Sequence, residues 1–151
     1  RSMPPAMQNG LLEKMEEAAA VCFQEQWLYW LLLRAYISHI SLNGDSTDVE
    51  EKAITFGHHI QHELHNNPTL YNMLGWVYAY GKKVRNLETA LHYFEQCISL
   101  DPGNQSALLH RARILDKMGS TMVRHAYQRV LIHNTKHPEA RKKIRQHALP
   151  A

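Results

Sequence analysis

Apolar residues recur along this chain at three- and four-residue intervals, the spacing that lines one side of an α-helix. The first such stretch holds Leu11, Leu12, Met15, Ala18, Ala19, Cys22 and Phe23, after a turn-like entry at Pro4-Pro5 and Asn9-Gly10. From Trp27 to Leu42 apolar residues go right round the axis, so this helix is expected to be buried on several sides until Asn43-Gly44-Asp45 ends it. Ser46 or Thr47 can cap the following helix, whose first turn carries Asp48, Glu50 and Glu51 against its positive end. That helix runs to about Leu64 and is broken by His65-Asn66-Asn67-Pro68.

Two similar pairs follow. Leu70, Leu74, Val77 and Tyr78 predict a helix from about Thr69, a loop lies around Gly81-Lys82-Lys83, and Ala90, Leu91, Phe94, Cys97, Ile98 and Leu100 predict its antiparallel partner, closed by Asp101-Pro102-Gly103-Asn104. The order repeats with Ala107, Leu108, Ile114 and Leu115, a turn at Met118-Gly119-Ser120, then Ala126, Tyr127, Val130 and Leu131, and a break at His137-Pro138. Residues 139–148 predict a last, basic helix. Prolines 68, 102 and 138 thus each close one helical pair, and such a period implies stacked repeats.

On these residues the chain resembles the tetratricopeptide repeat (TPR) family. The clearest unit is Tyr71-x-x-Leu74-Gly75-x-x-Tyr78 followed by Ala90-x-x-x-Phe94-x-x-Cys97-x-x-x-x-Pro102. The resemblance assigns Gly75 to close approach of the paired helices, with Ala90 as the small residue opposite it. Tyr78 and Ala90 stand farther apart than the family pattern, so the turn from Gly81 to Asn86 is expected to be enlarged. The next unit keeps Leu108, Ala112, Leu115, Ala126 and Val130, with Arg111 where Leu is usual. A motif-poor first unit spans Trp27 to Pro68. The resemblance implies an all-α fold: an α-solenoid of stacked antiparallel helix-turn-helix repeats, about three (27–68, 69–102, 105–138) plus flanking helices, forming a single domain over 9–151 behind a disordered 1–8.

It also implies a concave groove, lined by the first helix of each unit, that takes a peptide or helix of a partner protein. Carried over by position, the groove residues are Asn72, Trp76 and Tyr80 with Thr69 and Ala79, then Leu109, Arg113 and Lys117 with Ser106 and Asp116. Asn72 can hold a partner's backbone, Arg113 and Lys117 a carboxylate, and Trp76 is expected to project away from the packed side as a hot spot. The carboxylate clamp by which some relatives grip acidic chaperone tails is not matched, since Ser106 and His110 stand where it needs basic groups.

Composition narrows the alternatives. At 151 residues, with 7 Gly and 6 Pro, the chain supports one helical core and little turn-dense β structure. The apolar run from Trp27 meets Arg34 too soon to span a membrane, and the N-terminus lacks the basic-then-apolar order of a signal peptide, with Arg1-Ser2 ahead of Met3 reading as a cloning scar. Cys22 and Cys97 are too few for a disulfide framework, fit a reducing compartment and read as core residues; the expected location is cytoplasmic, with the nucleus as alternative.

Charge is uneven. Residues 101–151 hold 10 Lys/Arg against 3 Asp/Glu, while residues 1–100 hold 7 against 11. A second reading is therefore RNA or other nucleic-acid binding through Arg111, Arg113, Lys117, Arg124, Arg129, Arg141, Lys142, Lys143 and Arg145. A third is a homodimer built on the apolar helix Trp27–Ile37. His58, His59, His62 and His65 cluster on one helix without a nearby cysteine, which favours a solvated polar face over a metal site. No nucleophile elbow, phosphate loop or metalloprotease motif is present, so no catalytic residue, metal or cofactor is expected, and carboxylates such as Glu13 and Glu50 read as helix-surface charges.

Overall fold

A computed structural model describes residues 4–21, 26–42 and 47–148. Every regular element among them is an α-helix, in the order α1 (Pro5–Val21), α2 (Gln26–Leu42), α3 (Thr47–Glu63), α4 (Pro68–Tyr80), α5 (Leu87–Leu100), α6 (Gln105–Lys117), α7 (Val123–His133) and α8 (Pro138–Gln146). The chain divides into two compact units, residues 1–65 with 81–84 and residues 66–80 with 85–151, a partition that the repeat pattern did not carry.

In the first unit α2 packs against both α1 and α3. Helix α1 takes in residues 5–8, which the sequence reading left disordered, because Pro5 opens it with a preset φ and the Pro4 carbonyl accepts from the amides of Met7 and Gln8. Asn9 and Gly10 are helical, not a turn. On α2, Leu28, Leu32, Leu33, Tyr36 and Ile40 are buried between α1 and α3, while Trp27 and Leu31 are exposed. Cys22, Ser46 and the Asn43-Gly44-Asp45 stop lie outside the described residues.

Glu50 departs furthest from expectation. It is 1% exposed, not a surface charge. Its carboxylate accepts from three successive backbone amides, Lys82 at 2.7 Å, Lys83 at 2.9 Å and Val84 at 3.3 Å. The enlarged 81–86 loop is thus real, and part of it is wrapped around an anion.

The second unit is a stack in which α4 packs on α5, α5 on α6, α6 on α7 and α7 on α8, while α4 also reaches α6. Its period is set by the helix starts. Asn67, Asn104 and His137 each accept, through the side chain, the amide three residues on, at Leu70, Ala107 and Ala140, and all three of those residues are buried. The prolines are not equivalent markers: Pro68 and Pro138 open helices, whereas Pro102 sits in the turn between α5 and α6. Aligning the caps makes Asn72 equivalent to Leu109, Trp76 to Arg113 and Tyr80 to Lys117.

Leu70, Leu74, Val77, Ala90, Phe94, Cys97, Leu108, Ala112, Ile114, Tyr127 and Val130 form the core of this unit. Cys97 is a buried free thiol pushed up to about 11, mainly by burial. Gly75 does permit a close approach, and the atoms nearest to it belong to Phe94: a Cβ on Gly75 would lie 2.9 Å from the Phe94 ring.

Candidate functional site

The six sequence-predicted groove residues fall on the first helices of the second unit's pairs, α4 and α6. On α4, Asn72, Trp76 and Tyr80 are half-buried; on α6, Leu109 and Arg113 are half-buried and Lys117 is exposed. Trp76 and Tyr80, one turn apart, bring their ring centroids to 5.3 Å. The Lys117 ammonium lies 5.5 Å from the centre of the Tyr80 ring, within cation–π range. An aromatic pair and a cation therefore stand together on this face.

Asn72 is tied to the neighbouring first helix, its amide donating to Ser106 Oγ at 3.2 Å in an exposed contact. Ala79 and Asp116 do not serve the groove as the sequence reading had them. Ala79 is buried, and Asp116 accepts from Lys143 at 2.5 Å and faces His147 Nε2 at 3.0 Å. Lys143 is the main cause holding the Asp116 carboxyl below its ordinary range.

Arg113, expected to meet a partner's carboxylate, already has one. Its Nε and Nη2 donate to the two oxygens of Glu139 on α8 at 2.8 Å and 2.5 Å, the forked geometry in which guanidinium and carboxylate bind best. Glu139 is held low by this pairing, and Arg113 is raised by it and by the Tyr80 hydroxyl. Nothing in the local sequence marks Glu139 as that partner; it lies in the first turn of the next pair, where an acidic residue also suits the helix dipole.

His110 is the residue whose part sequence reasoning missed. Its Nδ1 sits 2.6 Å from the Tyr80 hydroxyl, and its ring stacks on Phe94 at 5.5 Å. Burial, then the Arg113 charge, lower it to about 4, so it is neutral near pH 7, and Nδ1 accepts the Tyr80 proton. The aromatic residue of the site is thereby fixed from below. Its place one turn before Arg113 on the same helix was the only local signal.

The histidines of α3 are all exposed. His58 faces Gln61 at 3.4 Å, and His62 and His65 have ring centroids 6.4 Å apart. Among the described residues no group of three or more histidine, cysteine or acidic side chains is placed to hold a metal, and no helix is long and apolar enough to cross a membrane.

No family model and no curated protein matches the sequence. Solved structures do match in fold. A crystal structure of MamA superposes with a TM-score of 0.76 at 13% identity, over 93% of this chain and 76% of that one. A second MamA structure gives a TM-score of 0.60 at 12% identity, over 94% and 81% respectively. The fold is accordingly all-α and TPR-like, with consecutive helices packed together in each unit.

Proposed function

We propose that the chain is a non-catalytic tetratricopeptide-repeat interaction module whose α4–α6 face binds an extended segment of a partner protein. The observation that carries this reading is the cluster of Trp76, Tyr80 and Lys117, which puts aromatic surface beside a cation that has no carboxylate partner among the described residues. Trp76 and Tyr80 supply the apolar anchor, Lys117 takes an acidic or carboxyl-terminal group, and the exposed Asn72–Ser106 pair exchanges its mutual hydrogen bond for one to the partner's backbone. Leu109 extends the apolar row. Arg113 acts on the partner only indirectly, by fixing α6 to α8 through Glu139.

The nucleic-acid reading loses ground because Arg111, Arg113 and Lys143 are paired with Glu95, Glu139 and Asp116. Phosphate contacts depend on unneutralised cations and give a steep salt dependence.

Selection of peptides from a random displayed library, followed by fluorescence-polarisation titration, tests the proposal. Wild type should enrich sequences with an acidic residue beside an apolar one. Trp76→Ala should weaken the selected peptide about thirtyfold, the effect of losing a hot spot of about 2 kcal/mol, with helical circular dichroism unchanged. Lys117→Glu should weaken it further and more at low salt. Peptides that bind both variants as tightly as wild type would remove this face from the site.

A further inference from the structure

The first unit holds a cavity of about 280 Å³ between α1, α2 and α3 that takes no part in the reading above. Its wall is aromatic. Tyr29 and Tyr36, two turns apart on α2, meet Phe56 on α3 at centroid distances of 5.3 Å and 6.2 Å, with the ring planes inclined at 41° and 78°. His59, one turn beyond Phe56, closes edge-on against Tyr29 at 6.2 Å. Tyr29, Tyr36 and Phe56 all line this space, and a cation is attracted to the faces of such rings.

Among the described residues one carboxylate, Glu16 from α1, joins the lining. Its Oε1 already accepts the Tyr36 hydroxyl at 2.6 Å and the Lys52 ammonium at 3.1 Å, and Lys52 also reaches Oε2 at 3.4 Å. Lys52 does not line the aromatic cavity. It lines the wider, open space of about 780 Å³ outside it, together with Asp48 and Glu51.

This arrangement selects the ligand. An unmodified lysine or arginine brings N–H groups that must find acceptors when they leave water, and the carboxylate of the described lining already accepts from Tyr36 and Lys52, so those N–H groups would have to compete for it. A quaternary ammonium has no N–H to satisfy; it gains from the ring faces without displacing Tyr36 or Lys52, and Glu16 offsets the charge of the Lys52 ammonium it pairs with. Its methyl groups suit a wall whose remaining lining is Ala19, Ala20 and Leu32. Asp48 and Glu51 in the outer space add negative charge near the mouth, although Lys83 already answers Glu51.

We propose that this cavity binds a trimethylated lysine side chain of a partner protein. The site stands apart from the α4–α6 reading, so either can fail alone.

An NMR titration of the whole chain, with aromatic ring resonances observed, tests it using N-acetyl-trimethyllysine amide as probe. Saturable shifts are expected at Tyr29, Tyr36 and Phe56. The unmethylated lysine amide and the neutral isostere, with carbon in place of the ammonium nitrogen, should each bind at least about tenfold more weakly. Glu16→Gln, which keeps the shape and removes the charge, should weaken the probe several-fold. Tyr29→Leu, at a half-buried position, should abolish the shifts at the remaining rings while the helical spectrum stays intact. Shifts that do not saturate, an isostere that binds as well as the ammonium, or a probe indifferent to both variants would overturn the proposal.

Discussion

At the scale of single residues, Gly75 offers the sharpest test of the packing. In an exposed helix, replacing glycine by alanine gains about 1 kcal/mol from propensity. Here the added Cβ would stand 2.9–3.0 Å from three atoms of the Phe94 ring, and Phe94 is itself completely buried and stacked on His110. The ring cannot retreat without disturbing the histidine that fixes Tyr80. Gly75→Ala should therefore lower stability by about 1–3 kcal/mol in urea unfolding, the cost of overpacking a filled core, and a variant as stable as wild type would show that the ring gives way freely. The resemblance named the glycine but not the Phe94 ring that presses on it. A motif read from one strand of sequence shows that a position must be small; which side chain fills the space depends on helix rotation, and that is a property of the packed pair.

At the scale of elements, helix boundaries were largely legible, because Asn, Pro and Gly act through local chemistry that sequence displays. The repeat phase was less so. Prolines suggested it, yet Pro102 does a turn's work while Asn67, Asn104 and His137 do the capping. The candidate groove positions do not depend on the prolines, because they were carried from the helices themselves. What could not be read was which charges were already spent: Arg113 meets a carboxylate 26 residues on, and Glu50 meets amides more than 30 residues on, beyond any local pattern. Glu50 tests that long-range link. A buried carboxylate accepting from three amides contributes charge-assisted hydrogen bonds, and Glu50→Gln keeps the size but replaces one acceptor oxygen by a donor aimed at N–H groups. A loss of about 1–3 kcal/mol is expected, together with faster amide exchange at Lys82, Lys83 and Val84 in hydrogen-exchange NMR. Unchanged exchange at those three amides would mean that the loop holds itself.

At the scale of the whole molecule, the 11 histidines invite the expectation of a broad response to acid, but they are unequal. His110 is lowered to about 4 by burial first and the Arg113 cation second, with Glu139 opposing, against 6.5 in a free side chain. Between those values the unfolded chain binds a proton that the folded chain refuses. Stability from this group is therefore complete above pH 6.5 and is lost as the pH falls toward 4, by up to about 3 kcal/mol. His39 in the first unit is also lowered by burial and acts in the same direction. Glu139 and Asp116, held low by Arg113 and Lys143, contribute stability that is present above the ordinary carboxylate range and lost only at more acid pH. The contributions separate by substitution. His110→Gln keeps an acceptor for the Tyr80 hydroxyl and removes the titration, so wild type should lose more stability than the variant between pH 7 and pH 5 in urea unfolding, and the imidazole of His110 should show no protonation shift by NMR until well below pH 5. Equal losses in the two proteins would place the titration of His110 at its ordinary value. It would also mean that the Tyr80–His110 pair opens readily enough to admit a proton, and the aromatic part of the α4–α6 face would then be mobile.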